Sequence, residues 1–104
     1  MLAMRIYKVK VSNAVSADLD ELARFIAAMY RPESGHNYVN RILGQLAALS
    51  YTADIYTQSR YAAARRIHPK AKTLSIMNHR WTVIFHIEVD TVVVDRILPS
   101  KMIL

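Results

Sequence analysis

Cysteine is absent from this 104-residue chain. That removes disulfides, thiolate nucleophiles and cysteine-bearing zinc sites together, and it fits a reducing compartment. Glycine occurs only twice and proline three times while hydrophobic residues reach 53%, a balance that excludes disordered and collagen-like chains. No apolar run approaches the roughly 20 residues that span a bilayer, and the stretch Met1-Leu2-Ala3-Met4-Arg5 lacks the character of a signal peptide. The expectation is a soluble, cytoplasmic protein with no membrane partner. Residues 1–104 leave room for one domain, which at this size buries roughly two-thirds of the surface its unfolded form exposes.

The most informative absence is of negative charge. Between Ile55 and Ile87 there is no acidic residue, yet the stretch holds Arg60, Arg65, Arg66, Lys70, Lys72 and Arg80 with His68, His79 and His86. The whole chain carries 14 basic against 8 acidic residues, a net charge of +6 and a pI near 9.9. Cations without interleaved acids repel one another, and an anionic partner relieves that repulsion. Nucleic acid, a nucleoprotein particle and an acidic protein all fit. Arg65, Arg66, Lys70, Lys72, Arg80 and, further on, Lys101 are therefore read as ligand-facing. His68 precedes Pro69 in a loop, where a solvated or turn-capping role competes with acid–base work, and His86 reads as an exposed strand residue off the core face. The four histidines at 36, 68, 79 and 86 have no metal-site spacing, so neither a metal nor a cofactor is expected.

Periodicity supplies the elements. Arg5 to Val11 alternates, with Tyr7, Val9 and Val11 on one face, and predicts a half-buried strand. From about Ser16 to Tyr30 an apolar stripe of Leu19, Leu22, Ala23, Ile26 and Tyr30 predicts a helix, with Asp18, Asp20 and Glu21 placed to oppose its dipole. After Arg31-Pro32 the positions Tyr38, Ile42, Leu46 and Leu49, widened by Val39 and Leu43, predict a second helix and hence a helical hairpin. Gly44 inside that helix predicts close approach of another backbone. Tyr51 to Tyr61 reads as a loop, followed by an extended stretch through Ile67-His68-Pro69. Three strands follow: Leu74 and Ile76, then Trp81 to Glu88, then Thr91 to Leu98, with turns at Asn78-His79 and Val89-Asp90. The order β-α-α-β-β-β predicts an α+β fold, an antiparallel four-stranded sheet with the helical pair on one face and cationic side chains on the other.

Three runs in this order resemble the RelE/ParE superfamily of type II toxins: Asp18-Leu19-Asp20-Glu21-Leu22-Ala23-Arg24-Phe25-Ile26, Trp81-Thr82-Val83-Ile84-Phe85-His86-Ile87, and Val92-Val93-Val94-Asp95-Arg96-Ile97-Leu98. The resemblance implies a cytoplasmic growth-arresting toxin neutralised by a cognate, acidic antitoxin, with an exposed apolar strip along the sheet edge or the helix pair where that partner lies. It also implies one of two targets. RelE-like members cut ribosome-bound messenger RNA, and ParE-like members poison DNA gyrase without catalysis. The positions matching the RelE-like nuclease set are Thr73, Ser75, Thr82 and Met102, which cannot supply that chemistry. A histidine- or arginine-based nuclease would instead draw on His68, His79, Arg65, Arg80 and Lys101. The ending Arg96-Ile97-Leu98-Pro99-Ser100-Lys101 is similar to the ParE-like one and favours gyrase, with Arg65, Arg66, Lys70, Lys72, Arg80, His86, Arg96 and Lys101 as target-binding residues. A nucleic-acid-binding module without toxicity is the reading from a different class.

Overall fold

Strand β1 (Lys8–Val11) passes directly into helix α1 (Asn13–Met29), and Ser12 makes both ends of that junction. Its backbone N–H donates to Val94 O at 2.9 Å, while its Oγ accepts the Val15 N–H at 3.2 Å and donates to Asp95 O at 2.9 Å. One serine thus caps a helix and ties it to the sheet. The helix therefore starts three residues before the expected Ser16, and Asp18, Asp20 and Glu21 fall beyond its first turn, which holds no acid. The structure is a computed structural model that describes residues 5–103. Residues 1–4, where the sequence predicts no leader, and Leu104 lie outside the described residues.

Helix α2 (Pro32–Ala47) returns against α1, with Pro32 at its start, where a missing N–H costs nothing. The close approach between the two helices is at Gly35, not at Gly44. A Cβ on Gly35 would lie 2.1 Å from Ala23 O, whereas nothing lies within 4 Å of one on Gly44, which faces solvent. Tyr30 and Leu43, expected in the buried stripes, are exposed.

The segment read as loop and extended chain holds more structure. It contains the short helix α3 (Leu49–Thr52), a 3₁₀ turn (Ala53–Ile55) and a six-residue helix α4 (Ala62–Ile67). Strands β2 (Lys72–Ile76), β3 (Trp81–Glu88) and β4 (Thr91–Pro99) follow, then a 3₁₀ turn (Ser100–Met102). The sheet order is β1-β4-β3-β2. The three-stranded meander is antiparallel as expected, but β1 pairs with β4 in parallel, Lys8 opposite Thr91 and Val11 opposite Val94, so the sheet is mixed. No tight turn links β1 to β4, and so nothing local imposes an antiparallel sense; the long excursion through helices and meander delivers β4 as a parallel neighbour.

The main core lies between the sheet and the helical hairpin, with Val83, Phe85, Val92, Val94 and Ile97 facing Val15, Leu19, Ile42 and Leu46. The opposite face was expected to be open and cationic. It is covered instead: Thr82, Ile84 and His86, which alternate with the core residues of β3, are all buried. A second apolar cluster forms there from Ala64 of α4, Ala71, Ile84 and Ile103, with Leu98 packed against it. Arg65, Arg66 and Lys70 ride on the cover or just beyond it, while Lys8 and Lys10 stay exposed on edge strand β1. Among the described residues no helix is long and apolar enough to cross a membrane.

Candidate functional site

Two regions stand out on this scaffold. The first is a groove beside Trp81. Leu22, Phe25, Ile26 and Met29 of α1 line it with Tyr38 of α2 and Trp81 of β3, enclosing about 520 Å³. The Trp81 indole N–H donates to Tyr38 Oη at 2.9 Å, which fixes the floor and leaves the apolar ring faces available. Phe25, Met29 and Tyr30 are 61%, 60% and 72% exposed, an amount of apolar surface a soluble monomer seldom leaves uncovered. The expected apolar strip therefore lies on the helix pair. The groove continues past Leu98 and Pro99 toward Asp18 and Arg96, where Arg96 Nε sits 3.8 Å from Asp18 Oδ2.

The second region is the cover over the back of the sheet. Arg65 and Arg66 occupy the last turn of α4, where cations complement the helix dipole, and both are exposed. Lys70 is exposed just beyond. Among the described residues Arg60, Arg65, Arg66, Lys70, Arg80 and Lys101 take part in none of the ion pairs, which are Lys8–Asp90, Arg96–Asp18 and the two made by His86. Arg80 and Lys101 share a cleft with His79, Tyr38 and Pro99. Lys72 is set apart from these, half-buried with its Nζ donating to Ala53 O at 3.3 Å.

Beneath α4 lies a polar cluster. A β-bulge between Ile84 and Phe85, with Asp95 as the extra residue on β4, turns the Asp95 carboxylate onto His86. His86 Nδ1 is 2.6 Å from Asp95 Oδ2 and its Nε2 is 3.0 Å from Glu88 Oε1, while its ring stacks on His68 at 3.7 Å between centroids and 4° between planes. Burial by itself would lower the His86 pKa, but hydrogen bonds and charge from Asp95 and Glu88 outweigh it and hold the pKa above its ordinary 6.5. His86 was expected to be exposed; it points off the main core, as expected, but into this buried network. His68 is the C-cap of α4, and its Nδ1 accepts the Lys70 N–H at 3.0 Å, the turn-capping role that was one of its expected readings.

His68, His86 and Glu88 bring candidate ligand atoms within 4.8 Å of one another, a proximity that sequence spacing concealed. Their geometry does not fit an ion. Each imidazole binds a metal in its own ring plane, and two parallel planes share no such point. The lone pair on His68 Nδ1 is also engaged by Lys70, which puts the ring proton on Nε2.

Residues 9–104 match the family model described as "ParE toxin of type II toxin-antitoxin system, parDE". The chain belongs to the ParE toxin family. As a fold it is similar to a solved structure titled "Chromosomal ParDE TA system from P. aeruginosa", with a TM-score of 0.74 and 19% identity over 90% of this chain and 96% of that one. Among curated proteins none matches the sequence. The molecule is thus the toxin component of a type II toxin–antitoxin module, and an antitoxin is its partner.

Within the ParE-family toxin the residues matching the RelE-like nuclease set lie near one another, with Ser75 of β2 opposite Thr82 of β3, but none carries a group that titrates or bears charge. Thr82 is buried with its Oγ1 2.9 Å from Ser100 Oγ, Thr73 is half-buried, and Ser75 and Met102 are exposed. Of the residues named for a histidine nuclease, His79, Arg80 and Lys101 share a cleft, whereas His68 belongs to the cluster under α4. Sequence reasoning did not find Phe25, Met29, Trp81, Glu88 or Asp95 as site residues. For Phe25 and Met29 a signal existed, since with Leu22 and Ile26 they make the apolar arc of α1 wider than one buried stripe requires.

Proposed function

We propose that this toxin arrests growth by binding DNA gyrase and inhibiting it without catalysis, through the exposed cations Arg65, Arg66, Lys70, Arg80 and Lys101. The observation that carries the reading is the fate of the histidines: His68 and His86 are stacked on each other and His86 is clamped by two carboxylates, so neither is free to move a proton on a bound ribose. With Thr73, Ser75, Thr82 and Met102 at the nuclease positions, the surface is left with cations suited to electrostatic recognition of an anionic macromolecule. The same reading assigns the Trp81 groove to an amphipathic segment of an acidic antitoxin, whose apolar side covers Phe25 and Met29. The action takes place in the cytoplasm, where gyrase and its DNA are found.

One observation favours a second reading, an RNA endonuclease, because His79, Arg80 and Lys101 line a single cleft that could bring a proton acceptor beside two cations. Purified toxin separates the two. Loss of supercoiling by gyrase, with ribosome-bound messenger left intact, is the expected result; cleavage of the messenger with normal supercoiling would replace the first reading with the second.

A further inference from the structure

We propose that the stacked pair His68–His86 is a protonation-dependent latch that holds the cationic helix α4 against the back of the sheet. The helix has little else to hold it. Of its six residues only Ala64 is buried, and a single methyl group is a weak anchor for an element carrying Arg65 and Arg66 side by side. Its end is instead organised around His68. The His68 N–H donates to Ala64 O at 3.2 Å, its carbonyl accepts the Ala71 N–H at 3.1 Å, its Nδ1 accepts the Lys70 N–H, and its ring lies flat on His86.

The charge on His86 decides how firm that seat is. The charged and titratable groups around it are Asp95 from β4, Glu88 from β3 and His68 from the end of α4; Lys10 of β1 lies on the same face two strands away, through the Val93 register, and is exposed. As an imidazolium, His86 donates to both carboxylates and presents a cationic ring to the π face of His68. As a neutral ring it donates from one nitrogen only, so one carboxylate faces a lone pair, and the cationic part of the stack disappears. Asp95, with a side chain only 17% exposed, would then be a poorly compensated buried charge.

The sign follows from linkage. A histidine whose folded pKa is raised contributes stability that is complete below about pH 6.5 and is lost as pH rises through the folded value. For the latch, the folded state is α4 seated and the reference state is α4 lifted with His86 in water. Each unit by which the seated pKa exceeds 6.5 makes lifting about tenfold easier at high pH. This holds whichever target the toxin engages.

Amide exchange resolved by residue, followed with the ring resonances of His68 and His86 from about pH 5.5 to about pH 9, tests the latch. Corrected for intrinsic rates, protection of the Arg65 and His68 amides, which close α4, is expected to fall as His86 loses its proton, while Val83 in the central strand holds constant. His86→Gln is expected to abolish the fall in α4 protection toward high pH, because no proton is then lost at that position. If that variant does not fold, Glu88→Gln at the exposed rim decides, and is expected to move the transition to lower pH. Flat α4 protection while His86 titrates, a parallel change at Val83, or a Glu88→Gln profile identical to the parent would overturn the proposal.

Discussion

The two glycines of α2 offer the sharpest test of how the helical hairpin is built, because one substitution at two places in one helix should have opposite signs. A methyl group on Gly35 would fall 2.1 Å from Ala23 O, 3.0 Å from Ala23 C and 3.2 Å from Ala27 N, all of them backbone atoms of α1. Ordinary contact begins near 3.4 Å, so the helices must part by about 1.3 Å, and no side-chain rotation relieves this. A gap of 0.5–1 Å already forfeits about a quarter to a half of each van der Waals contact across an interface. Overpacking of this severity costs about 3 kcal/mol, and alanine's better helix propensity returns about 1, leaving Gly35→Ala destabilised by about 2 kcal/mol. Gly44→Ala meets nothing within 4 Å and keeps only the propensity gain, about 0.5–1 kcal/mol of added stability. On a domain of this size these correspond to roughly 10 °C down and a few degrees up in Tm. Urea titrations followed by far-ultraviolet circular dichroism, compared at equal slope, measure both. Shifts in the same direction, or a Gly35→Ala variant as stable as the parent, would refute the assigned packing.

Other outcomes follow from single residues. Val89 sits at φ 55° in the two-residue turn between β3 and β4, a region that costs an L residue about 1–2 kcal/mol, so Val89→Gly should raise stability by about 1 kcal/mol; an unchanged denaturation midpoint would remove the strain from the account. Ser12→Ala loses the cap of α1 and the bond to Asp95 O together and should cost about 1–2 kcal/mol, with faster amide exchange in the first turn of α1; exchange at the parent rate there would contradict the capping role. Reversing charge at Arg65 and Arg66 should weaken target inhibition while lowering stability by no more than about 1–2 kcal/mol through the lost complement to the α4 dipole, and unchanged toxicity with a lowered Tm would count against a target-facing role. Phe25→Asp should reduce antitoxin affinity by about 2 kcal/mol or more in calorimetric titration while leaving the fold intact, and full affinity would place the antitoxin elsewhere.

What the chain made legible was whatever repeats within a few residues. The alternation through Trp81–Glu88 and Thr91–Pro99 marked the central strands, the stripes containing Leu19 and Ile42 marked the helical hairpin, and the order of the elements carried the superfamily resemblance. These signals are local because side-chain direction in a strand or helix is fixed by the backbone period. The helix α4 left no comparable trace, since six residues make fewer than two turns and its one buried position is chosen by Ile84 across the sheet.

Tertiary structure alone settled the rest. It made β1 a parallel partner of β4, assigned the tight helix contact to Gly35 rather than Gly44, and laid a cover over a face that strand alternation left open. It also brought His68 onto His86 and, through one extra residue at Asp95, set a carboxylate against them. Such meetings depend on strand register, on a bulge and on the distance between two packed backbones. None of these is a property of a short window of sequence; each is fixed only when distant segments compete for the same space.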